Sequence, residues 1–394
     1  MKLNGIDNLL RKLTVFFIVL ATIFSTFLDY TTPLSSTRLV FSLMFLFFFL
    51  SIILTEKSIQ IDLPKLIKPL VIYSIILLFV SASLIWTNLY SLNLYLGFYL
   101  ACIVYILDNK FFKKLVLWSV FVQVFFQLYE YFTISYLYEV VVEAYGNEFE
   151  LSLENSYLLR TKGLFEGPLT ASAFAIYIAY LFRHNPYIIS LALFSAILSN
   201  TRTGIITIVF ILASYMFFKF RVHKVSPALT FLIFIFGIFF VYSFVLPTIL
   251  SEAAILRLQE VGDFTNQSNL KRVLFWTWGW EFYLNYSLQN LLFGCSQCFG
   301  MKYSNSAEND WLMFLLELGI LGFIIYAIPI LYIFYRSLNQ KNYHVLSLII
   351  FLALNIFVYR QVSGSQTVIL HWTLIFSYFK ELNLTNENPL KIKW

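Results

Sequence analysis

About a dozen apolar stretches follow one another along this chain, and most are separated by short, basic loops. A helix needs about 20 apolar residues, with roughly 17–25 the usual range, to cross a bilayer. On that measure the spans fall near 13–29, 38–55, 68–86, 92–108, 114–134, 168–183, 186–200, 203–220, 228–249, 311–335, 343–359 and 366–380. Soluble domains run at about 45–50% apolar residues. This chain of 394 residues has 60%, with 20% aromatic and only 12% charged. The excess is spread over the whole length and leaves no room for a separate soluble catalytic domain. The expected fold is an all-α integral membrane protein of about twelve transmembrane helices, with a large external loop between spans 9 and 10.

The net charge of +6 would suit nucleic acid if it were gathered in one patch, but it is distributed as a topology signal. Basic residues accumulate in cytoplasmic loops. With the N-terminus inside, the cytoplasmic segments hold Lys2/Arg11/Lys12, Lys57/Lys65/Lys68, Lys110/Lys113/Lys114, Arg183, Lys219/Arg221/Lys224, Arg336/Lys341 and Lys380/Lys391/Lys393. These are 18 of the 27 basic residues, against six acids; the outer side has nine basic residues and fifteen acids. Both termini are therefore expected inside. The first apolar run follows basic residues as a signal peptide would, but no small-x-small cleavage site follows it, so it reads as a retained span.

The expected organisation is an N-terminal bundle over 1–134 (spans 1–5), a first external loop over 135–167, spans 6–9 over 168–249, a large external loop over 250–310, spans 10–12 over 311–380 and a cytoplasmic tail over 381–394. Connections longer than about 15 residues are usually functional or disordered, so the two long loops put the functional face outside. The second contains Arg272-Val-Leu-Phe-Trp-Thr-Trp-Gly-Trp-Glu-Phe-Tyr, an aromatic run suited to a helix on the membrane surface. No sequence repeat is visible.

The external basic residues run against the local acidic bias. Arg202 lies in Leu198-Ser-Asn-Thr-Arg-Thr-Gly, a polar break between two spans. Arg160 and Lys162 lie in Arg160-Thr-Lys-Gly-Leu-Phe-Glu-Gly-Pro, and Lys271 and Arg272 open the aromatic run; Arg360 lies near a later boundary. Guanidinium groups at a membrane mouth suit phosphate oxygens, which they bind bidentately while staying charged. The ordinary role of any one of them is snorkelling to headgroups or pairing with loop acids. In Ser306-Ala-Glu-Asn-Asp-Trp-Leu, Glu308, Asn309 and Asp310 sit at the lip of an apolar helix. A carboxylate there is costly unless hydrated, paired or used. Glu308 is the candidate general base; its ordinary role, shared with Asp310, is stabilising the helix N-terminus. Glu317, about two turns along the same helix, suits a polar network. Cys295 and Cys298 form a C-x-x-C that leaves a local disulfide open; zinc would need two further ligands that are not nearby. There is no P-loop, dinucleotide fingerprint or nucleophile elbow, and no metal or cofactor is expected.

Together these elements resemble the O-antigen polymerase and O-antigen ligase superfamily, most closely over residues 270–323 and more loosely over 155–335. The ligase branch carries His-Asn, nine residues, then Gly-x-x-Gly after its large loop; this chain has Glu308-Asn309, nine residues, then Gly319-Ile-Leu-Gly322. Ser199-Asn-Thr-Arg202-Thr-Gly is similar to the family's Ser-Arg turn. Arg272 with Trp276, and Leu292-Phe-Gly294, are similar to its Arg-x(3)-Trp and Phe-Gly elements; Arg160 with Gly163 and Pro168 is similar to its Arg-Gly-Phe segment. Glu in place of His points to the polymerase branch.

What the resemblance implies is a metal-independent glycosyltransferase of the bacterial inner membrane. Its substrates would be oligosaccharide repeat units on polyprenyl pyrophosphate, and its partners membrane lipids, a chain-length regulator and a flippase, with no nucleic acid. Glu308, Arg272 and Arg202 would be catalytic; Arg160, Lys162, Lys271, Asn309, Asp310 and Arg360 would bind substrate. The rivals are a ligase-type glycan transferase, a flippase or transporter for the lipid-linked unit, and a non-catalytic assembly scaffold. A transporter calls for ionisable groups inside the spans, and this chain has almost none away from helix ends.

Overall fold

A computed structural model describes residues 3–31, 42–50, 59–61, 63–64, 66–84, 92–133, 135–137, 160–222, 267–296, 298–303, 306–307, 309–358, 366–382 and 390–392. Among these residues the regular structure is helical apart from one short antiparallel pairing of Ile59–Ile61 with Leu390–Ile392. The expected span at 228–249, part of that at 38–55, Glu308 and Arg360 lie outside the described residues.

By length and composition, two helices among the described residues can cross a membrane: Leu94–Thr133 and Asp310–Asn339. Ile67–Ser81, Pro168–Leu181, Pro186–Leu198, Arg202–Phe218 and Tyr343–Phe357 are apolar but shorter. The helical segments coincide with most of the sequence-derived spans. Both long helices are interrupted. Leu92–Thr133 breaks at Asp108 (φ −159°, ψ 81°), whose carboxylate accepts the Phe111 N–H at 2.9 Å and so caps the second half. The break falls between the two spans expected at 92–108 and 114–134.

The chain divides into two compact units, residues 1–119, 274–342 and 352–394 in the first and 120–273 with 343–351 in the second. In the second unit, Pro168–Leu181, Pro186–Leu198 and Arg202–Val222 pack in succession. Pro168 and Pro186 open their helices, where a missing N–H costs nothing, and Asn185 Oδ1 caps the second through the Tyr187 and Ile188 amides. Every residue from Ala171 to Leu181 is buried, and the four alanines among them let neighbouring helices approach closely. At one end of this group His344 lies against His184 and Phe218, with centroids 5.6 and 5.2 Å apart. At the other end lie Arg160, the Ser199–Thr201 turn and Arg202.

The first unit is built around Asp310–Asn339, which breaks at Gly319 (φ 64°, ψ −175°). A straight helix would hold Phe314 and Tyr326 about 18 Å apart at ~1.5 Å per residue. Their rings instead stack at 3.9 Å, and Trp311 meets Phe323 at 5.4 Å. The half before Gly319 thus folds back along the half after it. The latter is tied to its neighbours by Tyr73 Oη donating to the Leu321 carbonyl (2.9 Å) and Tyr326 Oη to that of Leu94 (3.1 Å).

Candidate functional site

In the second unit a polar stripe runs along the helix that ends at Thr133. Gln123, Gln127 and Glu130 are spaced i, i+4, i+7 and are all buried. Glu130 Oε2 accepts the Lys162 and Gly163 amides at 2.8 Å each, and Oε1 accepts that of Leu137 at 3.2 Å. Gln123 donates to the Lys162 carbonyl (3.0 Å) and accepts the Leu164 amide (2.8 Å). Gln127 binds Ser195 and Ser199. Gly163 is at φ +57°, and a Cβ there would lie 2.6 Å from Gln123 Oε1, so only glycine suits the turn. One helix face therefore staples the Arg160–Leu164 segment in place. The sequence reading missed these three residues, although their spacing in an otherwise apolar run was visible.

Lys162, expected to bind substrate, is wholly buried. Its charge faces Glu130, and its Nζ lies 5.1 Å from the centre of the Tyr136 ring. Burial pulls its pKa down to about 8, against the opposing pull of Glu130. Its place is that of a positioning residue.

The same seam joins the segment that carries Arg160 to the turn that precedes Arg202. Arg160 Nε donates to the Ser199 carbonyl at 3.4 Å, and Thr161 N–H to that of Leu198 at 3.2 Å. Three residues beyond Ser199, Arg202 opens a 21-residue helix. The Thr201 hydroxyl, which could have capped that helix, donates to Ser172 Oγ instead. Lys271 is exposed and Arg272 half-buried, adjacent in the helix Gln267–Leu284.

In the first unit Asn309 is the N-cap residue of the broken helix, its Oδ1 accepting the Leu312 amide at 3.1 Å. Asp310 is buried in the first turn, within electrostatic range of the Tyr326 hydroxyl. Asn309, expected to bind substrate, thus takes the capping role expected of Glu308 and Asp310, while Asp310 lies beside a buried tyrosine. The fold-back also alters the expected position of Glu317: it lies next to the bend, while Asp310 lies alongside Tyr326.

The break is sealed by the end of the long loop. Unwinding at Gly319 frees the Leu316 carbonyl, which accepts Cys295 N–H (2.8 Å) and Tyr286 Oη (3.2 Å). Burial, then the nearby Glu317 and Tyr283, raise the Tyr286 pKa. Gly294 (φ +79°) and Gly319 meet backbone to backbone: a Cβ on Gly294 would lie 2.3 Å from the Glu317 carbonyl oxygen, and one on Gly319 2.4 Å from Gly294 N. The Phe-Gly and Gly-x-x-Gly elements are thus two sides of one contact. Tyr283, Phe299, Ala307, Leu312, Met313 and Leu316 form a core under it, and a disulfide joins Cys295 to Cys298. No group of three or more metal-ligating side chains occurs among the described residues.

Compared with known proteins, the chain matches no family model and no curated protein sequence.

Proposed function

We propose that this protein is a polysaccharide polymerase of the bacterial cytoplasmic membrane, with about twelve spans and both termini inside. It joins oligosaccharide repeat units carried on polyprenyl pyrophosphate at the external face. The observation that carries the proposal is that Arg160, on a segment held by a dedicated buried network, is tied to the Ser199 turn three residues before Arg202. Guanidinium groups on two such joined segments of an apolar protein suit a lipid-borne oxyanion. The contact between Gly294 and Gly319 supports the same reading, because it gives two motif elements of the resemblance one physical role.

In the reaction, a hydroxyl of the acceptor sugar attacks the anomeric carbon of the donor. The carbon–oxygen bond to the pyrophosphate breaks as the new glycosidic bond forms. Glu308 takes the hydroxyl proton, and Arg160, Arg202 and Arg272 stabilise the charge growing on the leaving pyrophosphate. Asn309 fixes the start of the helix that follows Glu308, and Lys271 and Arg360 bind substrate. Lys162 acts through the segment that carries Arg160. A single carboxylate without a nucleophile partner gives one displacement with inversion. The pyrophosphate is already an activated leaving group, so the chemistry calls for no metal or nucleotide sugar. A chain-length regulator and a flippase are the expected partners.

The test is chain extension in cells carrying Arg202→Ala or Arg272→Ala. Both variants should insert at normal levels and yield no polymer ladder. Normal polymer lengths in both would rule out the pyrophosphate role.

A further inference from the structure

We infer that the helix Gln267–Leu284 and the short helix Leu288–Phe293 after it rest on lipid at the membrane surface, so that this part of the long loop is an interfacial anchor. The anchoring is independent of the reaction proposed above.

The two sides of the longer helix meet different surroundings. Phe275, Trp278 and Phe282 pack against the core that includes Tyr283, Leu312 and Leu316. A Cβ on Gly279 would lie 2.7 Å from Leu312 Cδ2, so this side is in close contact. Leu274, Trp280 and Leu284 fall on the other side, within about a third of the helical circle. Leu288, and Met301 in the helix Cys298–Tyr303, follow them. All five are exposed, from 43% at Leu274 to 74% at Leu288. The aromatic run thus turns several of its rings inward and leaves aliphatic side chains and Trp280 outside. Apolar surface of this extent marks a contact with lipid or protein.

Charge favours lipid. Among residues 267–303 the charged side chains are Lys271, Arg272 and Lys302 against the single acid Glu281. The segments expected outside carry nine basic residues against fifteen acids, so this stretch runs counter to them. Lys302 is exposed beside Met301, its Nζ 5.0 Å from the centre of the Phe282 ring and 5.2 Å from that of Tyr303. Basic groups set on an apolar face suit anionic headgroups above acyl chains. Trp280 supplies the amphipathic ring of an interfacial belt.

Continuity favours lipid as well. Leu288–Phe293 ends at Gly294, whose backbone meets Gly319. Just past Gly319, Ile320 opens an exposed stripe with Ile328, Leu331 and Tyr335 along Asp310–Asn339, a helix long and apolar enough to cross a membrane. The apolar surface of the loop therefore adjoins the stripe that such a helix presents to acyl chains.

The experiment places a nitroxide on Leu284→Cys or Leu288→Cys in the full-length protein. Each variant carries Cys102→Ala, keeps the Cys295–Cys298 disulfide and sits in nanodiscs of phosphatidylcholine and phosphatidylglycerol. Power saturation compares collisions with oxygen, which concentrates among acyl chains, and with a water-soluble nickel chelate. Leu331→Cys gives the lipid-facing reference. The replaced side chains are exposed, so the labelled variants should elute as the native protein does. The expected result is high oxygen and low nickel accessibility at both positions, at depths of about 5–10 Å into the headgroup–acyl boundary. Nickel accessibility above that of oxygen would show a water-facing loop and overturn the anchor. Low accessibility to both would show a protein cover, from a second copy or another partner, and overturn lipid as the occupant.

Discussion

Phe314 stacks on Tyr326 with 3.9 Å between ring centroids and 18° between planes, although twelve residues of an apparently continuous helix separate them. The contact exists because Gly319 turns the chain back on itself, and it brings Asp310 beside Tyr326. Non-helical backbone is tolerated in an apolar interior where its polar groups are matched. Here Cys295 N–H and Tyr286 Oη match the carbonyl that the break releases.

The bend should therefore be intolerant of any side chain. Gly319→Ala places a Cβ at φ +64° and 2.4 Å from the Leu292 carbonyl. The backbone penalty alone is about 1–2 kcal/mol, and backbone neighbours cannot move aside as a side chain would. The midpoint of heat-induced loss of the monodisperse peak in detergent should fall sharply for Gly319→Ala and for Gly294→Ala. A native midpoint in either would show that the two glycines do not meet as described.

Glu130 and Lys162 should behave as a coupled pair. Removing one partner of a buried pair strands a charge and costs about 3–5 kcal/mol, whereas replacing both with apolar groups is far milder. Glu130 also holds three amides, so Glu130→Leu should be the harsher single change. The double variant Glu130→Leu/Lys162→Met should be less unstable than the sum of the single variants. Additive losses in a double-mutant cycle would contradict the pairing.

Lys162 also sets a pH dependence. Its pKa is about 8 in the folded protein against about 10.4 in a free chain. Between those values the unfolded chain binds more protons than the folded one, so stability rises with pH across this window. Below about pH 8 both states are protonated and the benefit is gone. Unfolding midpoints from pH 7 to 10.5 should climb in the native protein relative to Lys162→Met. Parallel curves would place the Lys162 titration elsewhere.

The disulfide between Cys295 and Cys298 bears on which face the long loop occupies, since such bonds persist in oxidising compartments. Cys102 is buried and free. In protein taken from cells without reductant, a membrane-impermeant maleimide should leave Cys295 and Cys298 unlabelled, and both should react after a dithiol is added outside. Ready labelling without reductant would oppose an oxidised external loop.

How much of this was legible in the sequence depends on the residue. The helical segments followed from apolar length, and Asp108 marked its own break because a charge and nearby lysines interrupt the run. A cap at the start of the following helix was expected of Glu308 and Asp310, and it is their neighbour Asn309 that accepts the Leu312 amide. The bend at Gly319 was not legible, because glycine is common in membrane helices and the apolar run continues through it. The pairing of Gly294 with Gly319 joins residues whose contact no local pattern encodes. The Gln123, Gln127 and Glu130 stripe was legible by spacing, but its partners are backbone amides of another segment, which leave no trace in residue type.

The central claim is best tested by resolving surface polysaccharide by size from a strain lacking this protein. Polymerase activity predicts a single repeat unit on the core or lipid carrier and no ladder, with the ladder restored by the native chain but not by Glu308→Gln or Arg202→Ala. Full-length polymer accumulating on the lipid carrier would mark a ligase, and repeat units trapped on the cytoplasmic side a flippase; either result would contradict the proposal.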